Sequence, residues 1–301
     1  MRHMERHVEK QRIDAALRQL LPVAAGALIV LATSAASAVR AAPAAPATAP
    51  AAPAAVTEAP AAHAESVDEV IARHLQALGG KDRIKAIQSA RMTGRISLHQ
   101  GMEAPFTWEW KRPNSLRLEF TIQGMTGIQA YDGAIGWLVM PFMGKKDPEA
   151  MSDADLRRFA DSADLDGALM DYREKGHQVE LAGKEAIEGT DAYKLKLTRK
   201  NGDVSFLYLD VQSCLLIKEI GTISERGEEL QFERSLGNYK AAGGVLFPFS
   251  TERKVQGRGA QVITIEKIEL NVDTPADRFK MPAMAAMPAH VPAAAPPPPP
   301  G

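Results

Sequence analysis

The chain has 301 residues, a formal net charge of −1 and a single cysteine. The near-neutral balance leaves no basic footprint for nucleic acid. One thiol excludes an internal disulfide and any multi-thiolate metal site. The prolines gather at two places: residues 39–62 hold 13 Ala and 5 Pro, and residues 282–301 hold 7 Ala and 8 Pro. Between those tracts about 220 residues remain to carry a fold, enough for one large domain.

In chain order, Arg2, Arg6, Lys10, Arg12 and Arg18 precede an uncharged run from Leu20 to Val39, whose apolar heart is Leu20–Leu31. Ala36-Ser37-Ala38 supplies small residues for a cleavage site. That order predicts a secretory signal peptide over 1–38. The alternative is an uncleaved anchor, because 20 uncharged residues just span a bilayer. Residues 39–62 read as an Ala/Pro-rich linker with extended character, and 282–301 as a disordered Ala/Pro-rich tail. The folded domain is expected over 63–281.

It opens with a helix. Ser66 and Glu69 have capping-box spacing, and Val67, Val70, Ile71, Leu75 and Leu78 recur at helical spacing. Gly79-Gly80 stops it, and a short turn follows over 81–87. From residue 88 the period becomes two. Trp108 and Trp110 flank Glu109, Leu116, Leu118 and Phe120 alternate with Arg117 and Glu119, and Tyr193, Leu195 and Leu197 alternate with lysines. Such segments are half-buried antiparallel strands. Pro113-Asn114, Asp132-Gly133 and Asn201-Gly202 mark their turns. Residues 150–173 lose the alternation and read as helix, with Ser152 as N-cap. The whole predicts a mainly β (α+β) fold: one large antiparallel sheet of about 11 strands that curls, with the helical stretches as plug or lid. A fully packed core without a cavity is the alternative.

The run Trp108-Glu109-Trp110-Lys111-Arg112-Pro113-Asn114-Ser115-Leu116-Arg117-Leu118-Glu119, followed by Tyr131-Asp132-Gly133 and Ile135-Gly136-Trp137-Leu138, resembles the LolA family of periplasmic lipoprotein carriers. The resemblance covers roughly residues 66–280. It implies an unclosed β-barrel of about eleven strands (a half-barrel), capped by lid helices and holding acyl chains, with no enzymatic activity. Family carriers use the arginine of Lys-Arg-Pro-Asn to hold the lid against the sheet, which points to Arg112. Leu78-Gly79-Gly80 and Gly243-Gly244-Val245-Leu246-Phe247-Pro248 are similar instead to a looser group of exported LolA-like proteins.

An acyl chain needs an apolar lining, at about 0.8 kcal/mol per buried methylene. The candidates are Trp108, Trp110, Leu116, Leu118, Phe120, Trp137, Met140, Leu195, Leu197, Phe206 and Phe232. The pattern leaves open which alternating face points inward, since a slip of one residue inverts every side chain. There is no Gly-x-Ser-x-Gly elbow, His-Glu-x-x-His helix or phosphate loop. The histidines have no ligand spacing, and Asp153/Asp155 and Asp164/Asp166 read as solvated helix faces or caps. No metal or cofactor is therefore expected. The reading is a monomeric periplasmic carrier for a lipid or acylated lipoprotein, working with an inner- or outer-membrane transfer partner. The alternative is an inner-membrane-anchored envelope sensor or interaction module that uses the same fold without transport.

Overall fold

Helix α1 (Val67–Ala77) begins where the sequence places it. Ser66 Oγ accepts from the Glu69 N–H, and the Glu69 carboxylate accepts from the Ser66 N–H at 2.7 Å, so both halves of the capping box form. Val70, Ile71, His74 and Leu75 make its buried stripe. It ends at Gly79 and Gly80, both with positive φ, where the Gly80 N–H closes onto the Leu75 carbonyl. The structure, a computed structural model, describes residues 65–98, 102–225, 228–256 and 260–283. The expected signal peptide, the linker and nearly all of the Ala/Pro-rich tail lie outside the described residues.

After α1 comes the short helix α2 (Lys81–Lys85). Strands β1 (Ser89–Leu98), β2 (Met102–Lys111), β3 (Ser115–Ile122), β4 (Met125–Tyr131), β5 (Gly136–Met140) and β6 (Lys145–Ala150) follow, and then helix α3 (Asp153–Asp161). The chain returns as β7 (Gln178–Ile187), β8 (Thr190–Thr198), β9 (Val204–Asp210), β10 (Leu216–Glu225), β11 (Glu228–Ala242), β12 (Val245–Val255) and β13 (Gln261–Leu270). These thirteen strands among the described residues are hydrogen-bonded in the order β6-β5-β4-β3-β2-β1-β13-β12-β11-β10-β9-β8-β7. The order has two free ends, β6 and β7, so the sheet is unclosed, as expected.

The count exceeds the expected eleven, and one of the extra strands has a physical reason for it. β6 reads Lys-Lys-Asp-Pro-Glu-Ala, an edge strand with charges and a proline in place of alternation. The helix expected over 150–173 is also shorter. Only Asp153–Asp161 is helical, capped by Ser152 as expected, and residues 162–176 pass mostly through turns.

The chain forms two compact units. Among described residues the first comprises 81–167 and 236–283, and the second 65–80 and 168–235. Strand β11 contributes residues 228–235 to the second and 236–242 to the first.

In the first unit the register sorts side chains onto two faces. Trp110 pairs with Leu116 and Trp108 with Leu118 across β2 and β3. Leu116 pairs on with Tyr131, and Leu118 with Gln129. Paired residues share a face, so this is the apolar face, on which Leu116, Leu118 and Phe120 are almost fully buried. The opposite face carries Arg91, Glu109 and Arg117, paired in that order, and continues to Ala130 and Trp137. Glu109 is 1% exposed there and is held by Arg91 at 2.9 Å and by Arg278. Two partners and the near-total burial make this an ionic cluster rather than a lone costly charge.

That second face is covered by the segment 271–280. Lys111 donates to the Thr274 carbonyl, Arg117 to the Arg278 carbonyl, and Trp137 Nε1 to the Phe279 carbonyl at 2.8 Å. Phe279 itself is fully buried.

In the second unit, Leu195 pairs with Leu207 and Leu197 with Ser205, and the row continues to Gly221 and Phe232. Tyr193 lies on the same face. Its hydroxyl donates to Glu65, which also meets Arg73 and Lys184. The Tyr193 hydroxyl and then Lys184 hold the Glu65 carboxyl down to about 2. His74 of α1 is buried, and its Nδ1 lies 2.8 Å from the Cys214 carbonyl, a geometry that calls for a proton on Nδ1. Burial depresses its pKa, against the smaller opposing effect of that hydrogen bond.

A depressed histidine binds its proton first in the unfolded chain, so stability falls as pH drops below the ordinary value of about 6.5. Urea midpoints taken at pH 7.5 and pH 5 should therefore differ by less in His74→Gln than in the native protein. An equal difference in both would remove His74 from the account.

Candidate functional site

The site grows from the β2–β3 hairpin. Arg112 follows the last residue of β2, and its N–H donates to the Gln88 carbonyl, which fixes where the side chain starts. The guanidinium then makes four hydrogen bonds. Nε donates to the Ile87 carbonyl at 2.6 Å and Nη2 to the Ile84 carbonyl at 3.2 Å, capping the end of α2. Nη1 and Nη2 donate in parallel to the two oxygens of Asp166, at 2.9 and 2.6 Å. Only arginine has a planar fork that serves two backbone carbonyls and a bidentate carboxylate together. The Asp166 hydrogen bonds raise the pKa of Arg112 further above its high ordinary value. Side-chain exposures of 21% and 16% set this pair apart from a surface bridge.

Asp166 lies in the turns that follow α3, at the end of the stretch 151–166 that lies on the apolar face of the first unit. Gly136 belongs to that face, in the row of Trp110, Leu116 and Tyr131. A Cβ at Gly136 would lie 2.6 Å from Leu156 Cδ1 and 3.0 Å from Met151 Sδ, so the absence of a side chain is what admits the stretch so close. Trp110 Nε1 donates to the Ser162 carbonyl at 2.9 Å. Three devices thus hold residues 151–166 down: a glycine seat, a tryptophan hydrogen bond and the Arg112–Asp166 fork.

The expected lining residues divide. In the first unit Trp108, Trp110, Leu116, Leu118 and Phe120 share the apolar face, with Trp108 and Trp110 rings 5.0 Å apart. Met140 keeps the parity of Leu138 and is 1% exposed on the same side. Trp137 does not join them. It pairs with Ala130 and stands on the ionic face, with the Arg117 guanidinium 5.5 Å over its ring. In the second unit Leu195, Leu197 and Phe232 share a face. Phe206 pairs with Lys196 on the other side, and Lys194 lies 4.9 Å from its ring centroid.

Sequence reasoning passed over two residues. Asp166 reads as a solvated cap but is the bidentate partner of Arg112, while Asp164 takes the capping part by accepting from the Asp166 N–H. Gly136 carried no signal beyond its place before Trp137. Among the described residues no cluster of three or more His, Cys, Asp or Glu side chains is arranged to hold a metal ion. No helix there is long and apolar enough to cross a membrane.

No protein-family model matches the sequence, and comparison with curated proteins returns no match. Solved structures do resemble it. A DUF1329 family protein from Desulfovibrio piger is 13% identical with a TM-score of 0.53, over 72% of this chain and 98% of that one. The chain shares that fold. A LolA superfamily protein from Nitrosomonas europaea is 16% identical with a TM-score of 0.48, over 72% of this chain and 98% of that one. An outer membrane lipoprotein-sorting protein domain from Vibrio parahaemolyticus is 13% identical with a TM-score of 0.49, over 69% and 95%. The large unclosed antiparallel sheet expected from the sequence is met at the level of fold. At these identities the likeness concerns architecture and does not name a ligand.

Proposed function

We propose that this chain is an exported, non-enzymatic carrier that holds the acyl chains of a lipid or lipoprotein on the apolar face of its first unit. The residues 151–166 act as a lid over that face, and Arg112 is its latch. The observation that carries this reading is the latch itself: one guanidinium joins the end of α2, the end of the lid and the hairpin between β2 and β3. The contacts named above join the lid to side chains and leave the sheet's own ladder untouched, which suits a segment that must open and reclose. Beneath it, aromatic and aliphatic side chains offer surface without demanding a specific headgroup. The signal-like N-terminus supports a periplasmic site of action, and transfer to or from a membrane partner follows from the same reading.

Native mass spectrometry of gently purified protein tests it. The expected spectrum contains the protein together with a lipid-sized adduct that a fluorescent acyl probe displaces. A single unadducted mass, in a protein that also fails to bind the probe, would overturn the reading.

A further inference from the structure

The second unit holds a polar group where its neighbours are apolar. Glu219 pairs with Leu207 and so lies on the face of Leu195, Leu197 and Phe232. It is completely buried. Two arginines meet it: Arg234 Nη2 lies 2.5 Å from Oε2, and Arg199 Nη2 lies 3.9 Å from Oε1. Ser205 is on the same face, two residues along β9 from Leu207, and is also completely buried.

Two features distinguish this group from a self-contained ion pair. Its charge does not cancel, since two guanidiniums face one carboxylate. Its donors are also not used up. Arg199 Nε, Arg234 Nε and Ser205 Oγ are buried without a hydrogen-bond partner. Buried donors in native proteins are nearly always satisfied, and several unsatisfied at one spot call for an explanation. An apolar replacement of similar volume would serve packing at least as well as a charged triad. The side chains of Arg199 and Arg234 keep 14% and 33% exposure, so their outer edges remain reachable while the carboxylate that aligns them is not.

We infer that Arg199, Arg234 and Ser205 form a receptor for a singly charged oxyanion, the carboxylate or phosphodiester headgroup of an acyl ligand, with Glu219 as the residue that positions both arginines. Every residue of this site belongs to the second unit, so it is an acyl-binding site of its own beside the one proposed above, and its ligand class is an anionic amphiphile. Glu219 lowers the net charge of the site from two to one, which matches a fatty acid or a phosphodiester lipid better than a dianionic monoester. Arginine forks and a serine hydroxyl are the donors such oxygens take. Leu195, Leu197 and Phe232 supply apolar surface beside it for the start of the chain.

The experiment is calorimetric titration of the mature protein with oleate, with methyl oleate and with inorganic phosphate at pH 8. Oleate should bind at least about ten times more tightly than its methyl ester. Arg234→Met should abolish that preference and leave methyl oleate affinity unchanged. Because Arg234→Met strands a buried carboxylate, the pair Arg234→Met with Glu219→Gln is made alongside it and should behave in the same way with less loss of stability. Equal affinity for acid and ester, or an equal loss of both in the variants, would overturn the headgroup receptor and leave the acyl carrier standing. Failure of native protein to bind either lipid would overturn both. Phosphate bound at micromolar concentration would make this a site for free anions and overturn the lipid assignment.

Discussion

Replacing Arg112 with leucine should speed release of a bound acyl probe by at least about tenfold while the protein stays folded. Four hydrogen bonds disappear with the guanidinium, and Asp166 is left without its bidentate partner. Removing one member of a fully buried pair costs about 3–5 kcal/mol, and an exposed pair about 0–1. Exposures near one fifth place this pair between, at about 2 kcal/mol. A 1.4 kcal/mol change is about a factor of ten. The two bonds to Asp166 are lost from the closed position of residues 151–166 and the other two from the end of α2, while the sheet ladder is untouched. Arg112→Lys keeps the charge and loses the fork, so its release should lie between leucine and native. Asp166→Asn should also speed release, and more mildly. Stopped-flow release of a prebound probe reads all three, and native rates in Arg112→Leu would reduce the residue to a hairpin support.

Trp137→Ala should cost about 3–5 kcal/mol of stability, the usual penalty for emptying a buried tryptophan site. Trp137 is 1% exposed, donates to the Phe279 carbonyl at 2.8 Å and lies under the Arg117 guanidinium. Its loss would loosen the segment 271–280 on the ionic face. Probe affinity of the remaining folded protein should hardly change, because the ring points away from the apolar face. Trp108→Ala should do the reverse, weakening the probe more than the fold. Urea melts and probe titrations on both variants separate the two roles. A large loss of probe affinity in Trp137→Ala, with stability intact, would return that residue to the lining.

This contrast shows where the sequence was legible. The capping box of α1, the Gly79-Gly80 stop, the hairpin turns and the alternating strands were all visible, because each is set by residues close in the chain. Parity between strands was not. Trp137 lies beyond the Asp132–Ile135 turn, and Phe206 beyond the Asn201-Gly202 turn. Each turn decides whether the next aromatic falls inside or outside, and apolarity alone does not distinguish an aromatic under an arginine from one facing a ligand. β6 escaped because edge strands are written in charges. Arg112 was found through its Lys-Arg-Pro-Asn setting. Its partner was not, because an aspartate that caps a turn and one that grips an arginine 54 residues away look alike in a sequence.

The segment 271–280 also bears on how the molecule is made. β1 is paired to β13, residue 90 opposite residue 270, and the ionic face of β1–β3 is closed by side chains and carbonyls more than 150 positions downstream. The centre of the sheet therefore consists of the first and last strands among the described residues. Contacts of that sequence separation form late and slowly, since the loop must close before they reward it. During synthesis β1 lacks one of its two ladder partners, and the buried Glu109 lacks Arg278, until the last of these segments is made. Until the final turn at Ala276–Phe279 arrives, the chain is obliged to remain open along its middle.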